Sequence, residues 1–422
     1  MTEQETPVPL PLLAAPRNTR VVLVEDQEGL NSAVAELASN RGPFALDAER
    51  ASGFKYSARA YLVQVTRGDS AIYLIDPFAI APEVSIEPFR GLAELLATDT
   101  WILHAATQDL ACLAELGLKP TALFDTELGG RIAGFPRVGL GAMCESQLGY
   151  RLAKEHSAVD WSTRPMLDDW LNYAALDVDV LVELMDAVAT ALEEQGKTEF
   201  ARQEFAHLLD FAPKGPKIDR WRGLNGLHEV KDSKRLAIAR DIWTAREALA
   251  QKLDVSPGRL IPDASIVAVA KDTPKSRSEL AARKDFHGRA SRTYLDTWWK
   301  ALEQGVNSLD LPPVKLPNTG IPNHRSWANR FPEAEARLAK LKPSMTILSQ
   351  AMNIPPENIL TPDYLRQLAW LPPAEISSEA IYEALLSSGA RIWQAQTCSA
   401  PFAEALMANE APTTTEPAQV AD

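Results

Sequence analysis

The sequence predicts an α/β domain with a mixed sheet flanked by helices, followed by an all-helical carboxy-terminal half. Short apolar, β-branched runs alternate with helical periodicity until a Pro- and Lys-rich break near residue 212. Beyond that break the strand signals vanish. An internal repeat of helical segments then appears, which points to a duplicated module rather than one long continuous domain.

Taken in chain order, residues 1–20 are rich in Thr, Pro, Glu and Ala with little apolar periodicity, and read as a disordered arm, as do residues 410–422. Strands are expected at VVLVE (from Val21), FALDAE (from Phe44), LVQVT (from Leu62), AIYLID (from Ala71), WILHA (from Trp101) and LFDT (from Leu123). Helical patterns intervene at LNSAVAELASN, FRGLAELLAT and ATQDLACLAELG. One long helix is expected from Asp168 to Glu194, with Asp168 and Asp169 in the first turn, where the helix dipole favours negative charge. Residues 212–221 break the periodicity and read as a linker. In the helical half, LDVSPGRLIPDASI resembles MNIPPENILTPDYL: Leu253 aligns with Met352, Val255 with Ile354, Pro257 with Pro356 and Leu260 with Ile359. One inserted residue, Thr361, then aligns Pro262 and Asp263 with Pro362 and Asp363. The expected division is an arm (1–20), an α/β domain (21–211), a linker (212–221), two helical domains (222–310 and 311–409) and a tail (410–422).

With 422 residues, 46% of them apolar and 23% charged, the chain can fill more than one core. No run of about 18 uncharged apolar residues exists, and the start, MTEQETPVPLPLL, is acidic and punctuated by proline, so neither a membrane span nor a signal peptide is expected. Cys112, Cys144 and Cys398 are far apart without CxxC spacing, which argues against structural zinc and fits buried thiols in a reducing cytoplasm. No heptad seam appears, so a monomer is expected. The net charge of −13 is unevenly spread: residues 214–300 hold 19 Lys and Arg against 11 Asp and Glu. A basic block in an acidic chain is a candidate phosphate-binding surface. Its named candidates are Lys231, Lys234, Arg235, Arg240 and Arg246, on or near one helix, with a buried structural role as the alternative for Arg246.

Four acids and a tyrosine carry the chemistry. Asp47 and Glu49, two apart in a strand, project to one face; Tyr173 and Asp177, four apart in a helix, share a face; Asp109 lies in ILHAATQDL. Carboxylates crowded together raise one another's pKa, and a bound dication keeps them ionised. Such acids suit hard cations, and two of these about 4 Å apart stabilise both the attacking and leaving oxygens of a displacement at phosphorus. A phenol with pKa ~10 positions water better than it accepts a proton at neutral pH. His104, at the end of its strand, reads as a packed or hydrogen-bonded residue and not a ligand; Asp125, before a helix, reads as a cap.

These segments, with VDWSTRP and LFDTELGGRIAG, resemble the DEDD 3′-5′ exonucleases, and within them the tyrosine-containing ribonuclease D subgroup. The resemblance implies a ribonuclease H-like exonuclease domain in which Asp47, Glu49, Asp109 and Asp177 hold two divalent metal ions, Mg²⁺ or Mn²⁺, while Tyr173 orients the attacking water. Arg50 departs from the pattern, standing where many relatives carry an aromatic. The duplicated unit resembles the HRDC domain, a helical nucleic-acid-binding module, and the first copy is the closer match. Family resemblance, not spacing, implies an exoribonuclease that releases nucleoside 5′-monophosphates from structured RNA with a single-stranded 3′ end, trimming transfer RNA precursors among others. A 3′-5′ DNA exonuclease would use the same acids, and a noncatalytic RNA-binding adapter would leave them vestigial.

Overall fold

The computed structural model describes residues 9–408 apart from 84, 154–157, 214, 216–217 and 317–319. The expected tail and the first eight residues of the expected arm lie outside the described residues. Among the described residues there are eight strands: β1 (Leu12–Leu13), β2 (Val21–Val24), β3 (Phe44–Arg50), β4 (Ala60–Arg67), β5 (Ile72–Ile75), β6 (Trp101–Leu103), β7 (Leu123–Asp125) and β8 (Arg151–Leu152). Six form a mixed sheet in the order β2-β5-β4-β3-β6-β7, with β4 antiparallel to both neighbours and the remaining pairs parallel.

Helices cover both faces, which is why the central strands read as continuous apolar runs. On one side Phe44, Leu46, Ala48, Val63 and Val65 pack with Leu30, Leu37, Leu92, Leu96 and Leu113 from the helices Gln27–Ser39, Arg90–Leu96 and Leu110–Glu115. On the other, Ala45, Leu62, Leu74 and Ile102 pack with Ala174, Ala175 and Val178 of the helix Asp168–Asp179. The alternation along β3 therefore points Asp47 and Glu49 toward that second helix.

Residues 9–20 are not a disordered arm. β1 pairs with β8, the Ala14 carbonyl accepts from Asn172 Nδ2 at 2.9 Å, and the Arg17 backbone N–H donates to Asp179 Oδ2 at 2.8 Å. A polar, proline-punctuated segment too short for apolar periodicity is tied down by backbone pairing, which composition does not register. The long helix expected over 168–194 is two, Asp168–Asp179 and Leu181–Glu194, broken at Val180. Val178, Asp179 and Val180 are weak helix formers, and the two pieces bury different faces: the first meets the sheet, while Leu184, Val188 and Leu192 of the second join Ile132 and Ala133 of the helix Thr126–Ala133.

In the helical half, Ser233–Leu253 and Pro332–Met352, Pro257–Leu260 and Pro356–Ile359, and Asp263–Lys271 and Pro362–Trp370 each begin and end 99 residues apart. The repeat thus needs no insertion at Thr361: Pro262 and Thr361 occupy the same N-cap position, and the proline moves from the cap to the first helical turn, where its missing N–H costs nothing. Both long helices end on a left-handed residue, Asp254 (φ 47°) and Asn353 (φ 48°). Trp221, expected in the linker, is 3% exposed and belongs to the first module's core, its indole N–H donating to Asp219 Oδ1 at 3.2 Å.

The modules join the α/β domain differently. The first has its own core and meets the loop after β3 mainly through polar contacts at its Asp254 corner: Asp254 accepts from the Ser57 N–H (2.9 Å) and the Tyr61 hydroxyl (3.2 Å), and Arg259 Nε donates to the Gly53 carbonyl (2.8 Å). The second shares one apolar cluster with Ile132, Met143, Leu184, Val188 and Phe205. Phe200 stacks on Trp393 with ring centroids 4.6 Å apart, and buried Glu204 Oε1 accepts from Trp393 Nε1 (2.8 Å) and Arg391 Nε (2.7 Å). The Asn353 corner also abuts the nuclease side, where a Cβ on left-handed Gly134 would lie 2.2 Å from Asn353.

Glu204→Ala should therefore destabilise the whole chain by about 3 kcal/mol, because it leaves a half-buried guanidinium and an indole N–H without their acceptor. Denaturant unfolding would show a lower midpoint; a midpoint unchanged from wild type would contradict a shared core braced at Glu204.

Candidate active site

β3 delivers Asp47 and Glu49 to the sheet face beneath the helix Asp168–Asp179, and that helix returns Asp177 and Tyr173 onto them. The carboxylate oxygens of Asp47, Glu49 and Asp177 lie within 4.8 Å of one another. Tyr173 is hydrogen-bonded to Asp177. Asp109 stands to one side, 3% exposed, with Oδ1 3.6 Å from an Arg50 nitrogen.

Asp109 reaches this place through a turn after β6 in which Ala105 adopts φ 60°, a left-handed conformation costly for a residue with a Cβ. Asp125 fixes that turn. Its carboxylate accepts from the Glu127 and Leu128 N–H groups, as the expected helix cap, and also from the N–H groups of Ala105 (3.0 Å) and Ala106 (2.9 Å). The second role spans about 20 residues and could not be read from a local capping signal.

Tyr173 is set by packing. Trp161, fully buried in the VDWSTRP loop, lies against Trp170 and Tyr173 with centroids 5.7 and 6.4 Å away. Arg164 anchors the same loop: its Nη2 donates to Asp76 Oδ1 (2.8 Å) and the Tyr61 carbonyl (2.9 Å), and its Nη1 to the Trp161 carbonyl (2.7 Å). Sequence reasoning missed this pair. Its one local signal is Asp76 before Pro77, an N-cap whose carboxylate is fully buried and accepts from Phe78 and Ala79.

The electrostatics are those of crowded, desolvated acids. Burial pushes Asp47 up to about 6, and burial together with the charges of Asp47, Asp177 and Asp109 pushes Glu49 up to about 10. Asp109 is raised well above the carboxylate range, chiefly by burial and then by Asp47. Burial and the neighbouring acids raise the Tyr173 hydroxyl, so it stays protonated and acts as a hydrogen-bond donor. His104 Nδ1 lies 2.8 Å from Thr126 Oγ1, the hydrogen-bonded place expected of it, and burial lowers the ring to about 4. All three cysteines are buried thiols.

The donor set fits a divalent cation: hard carboxylate oxygens converge, and their mutual repulsion is what a dication offsets. A cleft of roughly 760 Å³ opens on the site, lined by Asp47, Tyr173 and Asp177 with Leu12, Leu140 and Leu181. Leu12 belongs to the segment that sequence reasoning took for a disordered arm.

The basic candidates divide. Lys231, Lys234 and Arg235 are exposed. Arg240 is tied to Asp241 (2.7 Å), Asp310 (2.9 Å) and Ser308 Oγ (3.1 Å). Arg246 is 4% exposed, donating to Asp263 (2.6 Å) and the Ile261 carbonyl (3.0 Å). It is a buried structural partner and no part of a cationic stripe, because the helix periodicity that aligns it with Arg235 does not show which face turns inward.

The 3′-5′ exonuclease family profile matches residues 21–193, the HRDC domain profile residues 235–302, and a 3′ to 5′ exonuclease C-terminal domain profile residues 320–406. A crystal structure of a Bifidobacterium adolescentis protein is 33% identical, covering 94% of this chain and 99% of that one, with a TM-score of 0.85. Ribonuclease D of Granulibacter bethesdensis is 29% identical over 72% of this chain and 74% of its own length. Escherichia coli RNase D, at 23% identity and a TM-score of 0.63 over 87% of this chain, shares the fold. Acids gathered from a strand, a turn and a helix on this sheet, with these relatives, define a 3′-5′ exonuclease that uses divalent metal. Within that class the chain belongs to the ribonuclease D family, and its activity is that of an exoribonuclease acting on RNA.

The raised Glu49 gives a sign for stability. Its folded pKa lies above the ordinary ~4.3 of a glutamate, so the metal-free fold is favoured at low pH and loses stability as pH rises toward the folded value. In chelator, Glu49→Gln should melt higher than wild type near neutral pH, with the difference shrinking toward pH ~4, and divalent metal should stabilise wild type much more than the variant. Equal metal-induced shifts in the two melting curves would remove Glu49 from the ligand set.

Proposed function

We propose that this chain removes nucleotides one at a time from the 3′ end of RNA, with two divalent cations, Mg²⁺ or Mn²⁺, held by Asp47, Glu49, Asp109 and Asp177. The observation that carries this reading is the convergence of three carboxylates within 4.8 Å beside a tyrosine hydroxyl bonded to one of them. When bound, the cations stabilise the developing charge on the attacking and leaving oxygens. The Tyr173 hydroxyl donates toward Asp177 and holds water in line with the scissile phosphorus. The water oxygen bonds to phosphorus, the bond to the 3′ oxygen of the preceding ribose breaks, and that oxygen takes up a proton. A nucleoside 5′-monophosphate and an RNA one residue shorter with a 3′ hydroxyl result.

The cleft suits a single-stranded 3′ end, and the body of a structured substrate lies on the first helical module. The Escherichia coli relative is described as an exoribonuclease involved in structured RNA processing; trimming of transfer RNA precursors and other small structured RNAs is the corresponding role here, carried out by a cytoplasmic monomer. In this reading residues 21–211 do the chemistry, 222–310 hold RNA, and 311–409 complete the core of the first. Lys234 and Arg235 support the second assignment. They stand in the first turn of Ser233–Leu253, where positive charge opposes the helix dipole, so helix stability does not account for them.

Tyr173→Phe should lower kcat on single-stranded RNA far more than it weakens RNA binding, since the lost group acts mainly in the transition state. Matched DNA run alongside tests the sugar preference; comparable turnover of both would move the substrate class from RNA to nucleic acid ends in general. Unchanged kcat with weaker binding would place Tyr173 in substrate stacking instead.

Replacing Lys231, Lys234 and Arg235 together by Gln should weaken binding of a structured RNA and flatten its salt dependence by about 0.9 for each phosphate no longer neutralised. Hydrolysis of a short single-stranded oligonucleotide should stay near wild type. An unaltered salt slope would show that the RNA-holding surface lies elsewhere.

A further inference from the structure

Alternation along β3 turns Arg50 to the face opposite Asp47 and Glu49, the face on which the helix after Asp109 packs. The pairing with β4 changes register at this point: Glu49 is opposite Leu62 and Arg50 opposite Ala60, leaving Tyr61 unmatched. Ala60 packs with Ala48 and Val63 on one face while Tyr61 and Leu62 both pack on the other, so the extra residue lies in β4 and Arg50 stays on the face of Ala48. Its guanidinium ends 3.6 Å from Asp109. The bulge is gripped at both ends of its extra residue, since the Tyr61 carbonyl accepts from Arg164 and the Tyr61 hydroxyl donates to Asp254.

The pair with Asp109 is long for a charge-assisted hydrogen bond and is not a two-pronged fork, so it uses little of the guanidinium's donor capacity. The Arg50 side chain also remains 28% exposed while Asp109 is at 5%. A cation standing beside a polyanionic site, partly open to solvent and loosely paired, is placed for a mobile anion. In a phosphodiesterase that anion is the scissile phosphate.

We propose that Arg50 is a catalytic residue that donates to a nonbridging oxygen of the scissile phosphate, and that its pair with Asp109 is the resting position it leaves when metal and substrate arrive. This rests on the hydrolytic reading above. Arginine suits the role because its planar fork matches phosphate oxygens and it remains charged at any working pH. As the charge on those oxygens grows during displacement, a fixed donor lowers the barrier more than it strengthens binding.

The test uses the full chain with Arg50→Gln, Arg50→Lys and Arg50→Phe, measuring Mn²⁺ affinity by calorimetry and turnover of both a single-stranded RNA and bis(p-nitrophenyl) phosphate. Arg50→Gln should bind Mn²⁺ about threefold or more tightly, because a cation competing for the acids is gone, while kcat falls by about 10²–10³ with a much smaller change in KM. Lys should recover part of kcat and Phe should match Gln. Recovery by Phe would make Arg50 a base-stacking residue, and a joint fall of Mn²⁺ affinity and kcat in the Gln variant would reduce it to a support for Asp109; either overturns the proposal. If wild type hydrolyses the small diester but not RNA, the substrate reading fails, and the Arg50 series on the diester still decides the proposal.

Discussion

Asp47, Glu49 and Asp177 bring carboxylate oxygens within 4.8 Å of one another in a desolvated place, and three acids so crowded repel when ionised unless something holds them. Much of the surrounding structure answers to that constraint. Asp125 commits two backbone hydrogen bonds to keeping the turn before Asp109 in a conformation an alanine resists, and two more to capping the next helix. Trp161 wedges Tyr173 in place, and Arg164 pins the loop that carries Trp161 to buried Asp76. The acids come from one strand, one turn and one helix, and the turn and the helix each have their own brace. The rigidity is therefore built before any cation arrives, which is how a site lowers the cost of binding one.

The two helical modules show how a duplicated unit diverges in use. Both present a left-handed corner, Asp254 or Asn353, to the α/β domain. At the first corner the contacts are polar and end on Tyr61, the extra residue of the bulge beside the acids. At the second they border a continuous apolar core. Arg246 in the first module corresponds, 99 residues on, to buried Met345 in the second: one copy keeps an internal ion pair with Asp263 where the other keeps plain packing. The first copy is thus mechanically close to the chemistry and compositionally basic, while the second is a structural part of the nuclease.

The sheet and the clustering of Asp47, Glu49, Tyr173 and Asp177 were legible in the sequence because both follow short periodicities: two for Asp47 and Glu49 in a strand, nearly four for Tyr173 and Asp177 in a helix. What escaped was nonlocal. The pairing of residues 12–13 with 151–152 joins segments far apart, and no property of PLPLL announces it. The break at Val180 depends on two helix halves burying different faces, which the continuous apolar pattern of LDVDVLVEL conceals. From the sequence Arg50 is only a departure from a family pattern, since its pairing with Asp109 joins residues far apart in the chain. Arg246 illustrates the converse: a basic residue in a basic block, taken as a surface candidate, that the fold turns inward.

The shared core has a consequence for the order in which the chain is made. The helix Thr198–Leu208, whose Phe200 and Glu204 meet Trp393, leaves the ribosome roughly 200 residues before the helix Ile392–Met407 that covers them. At ~5–20 residues per second that interval is roughly 10–40 s. During it the nascent nuclease carries its acids and its sheet but shows solvent an uncovered apolar flank, and the entire first module must be synthesised and looped out before the flank is closed. The nuclease core is thereby completed only once the helix Ile392–Met407 has emerged, and until then the nascent chain is a natural client for chaperones.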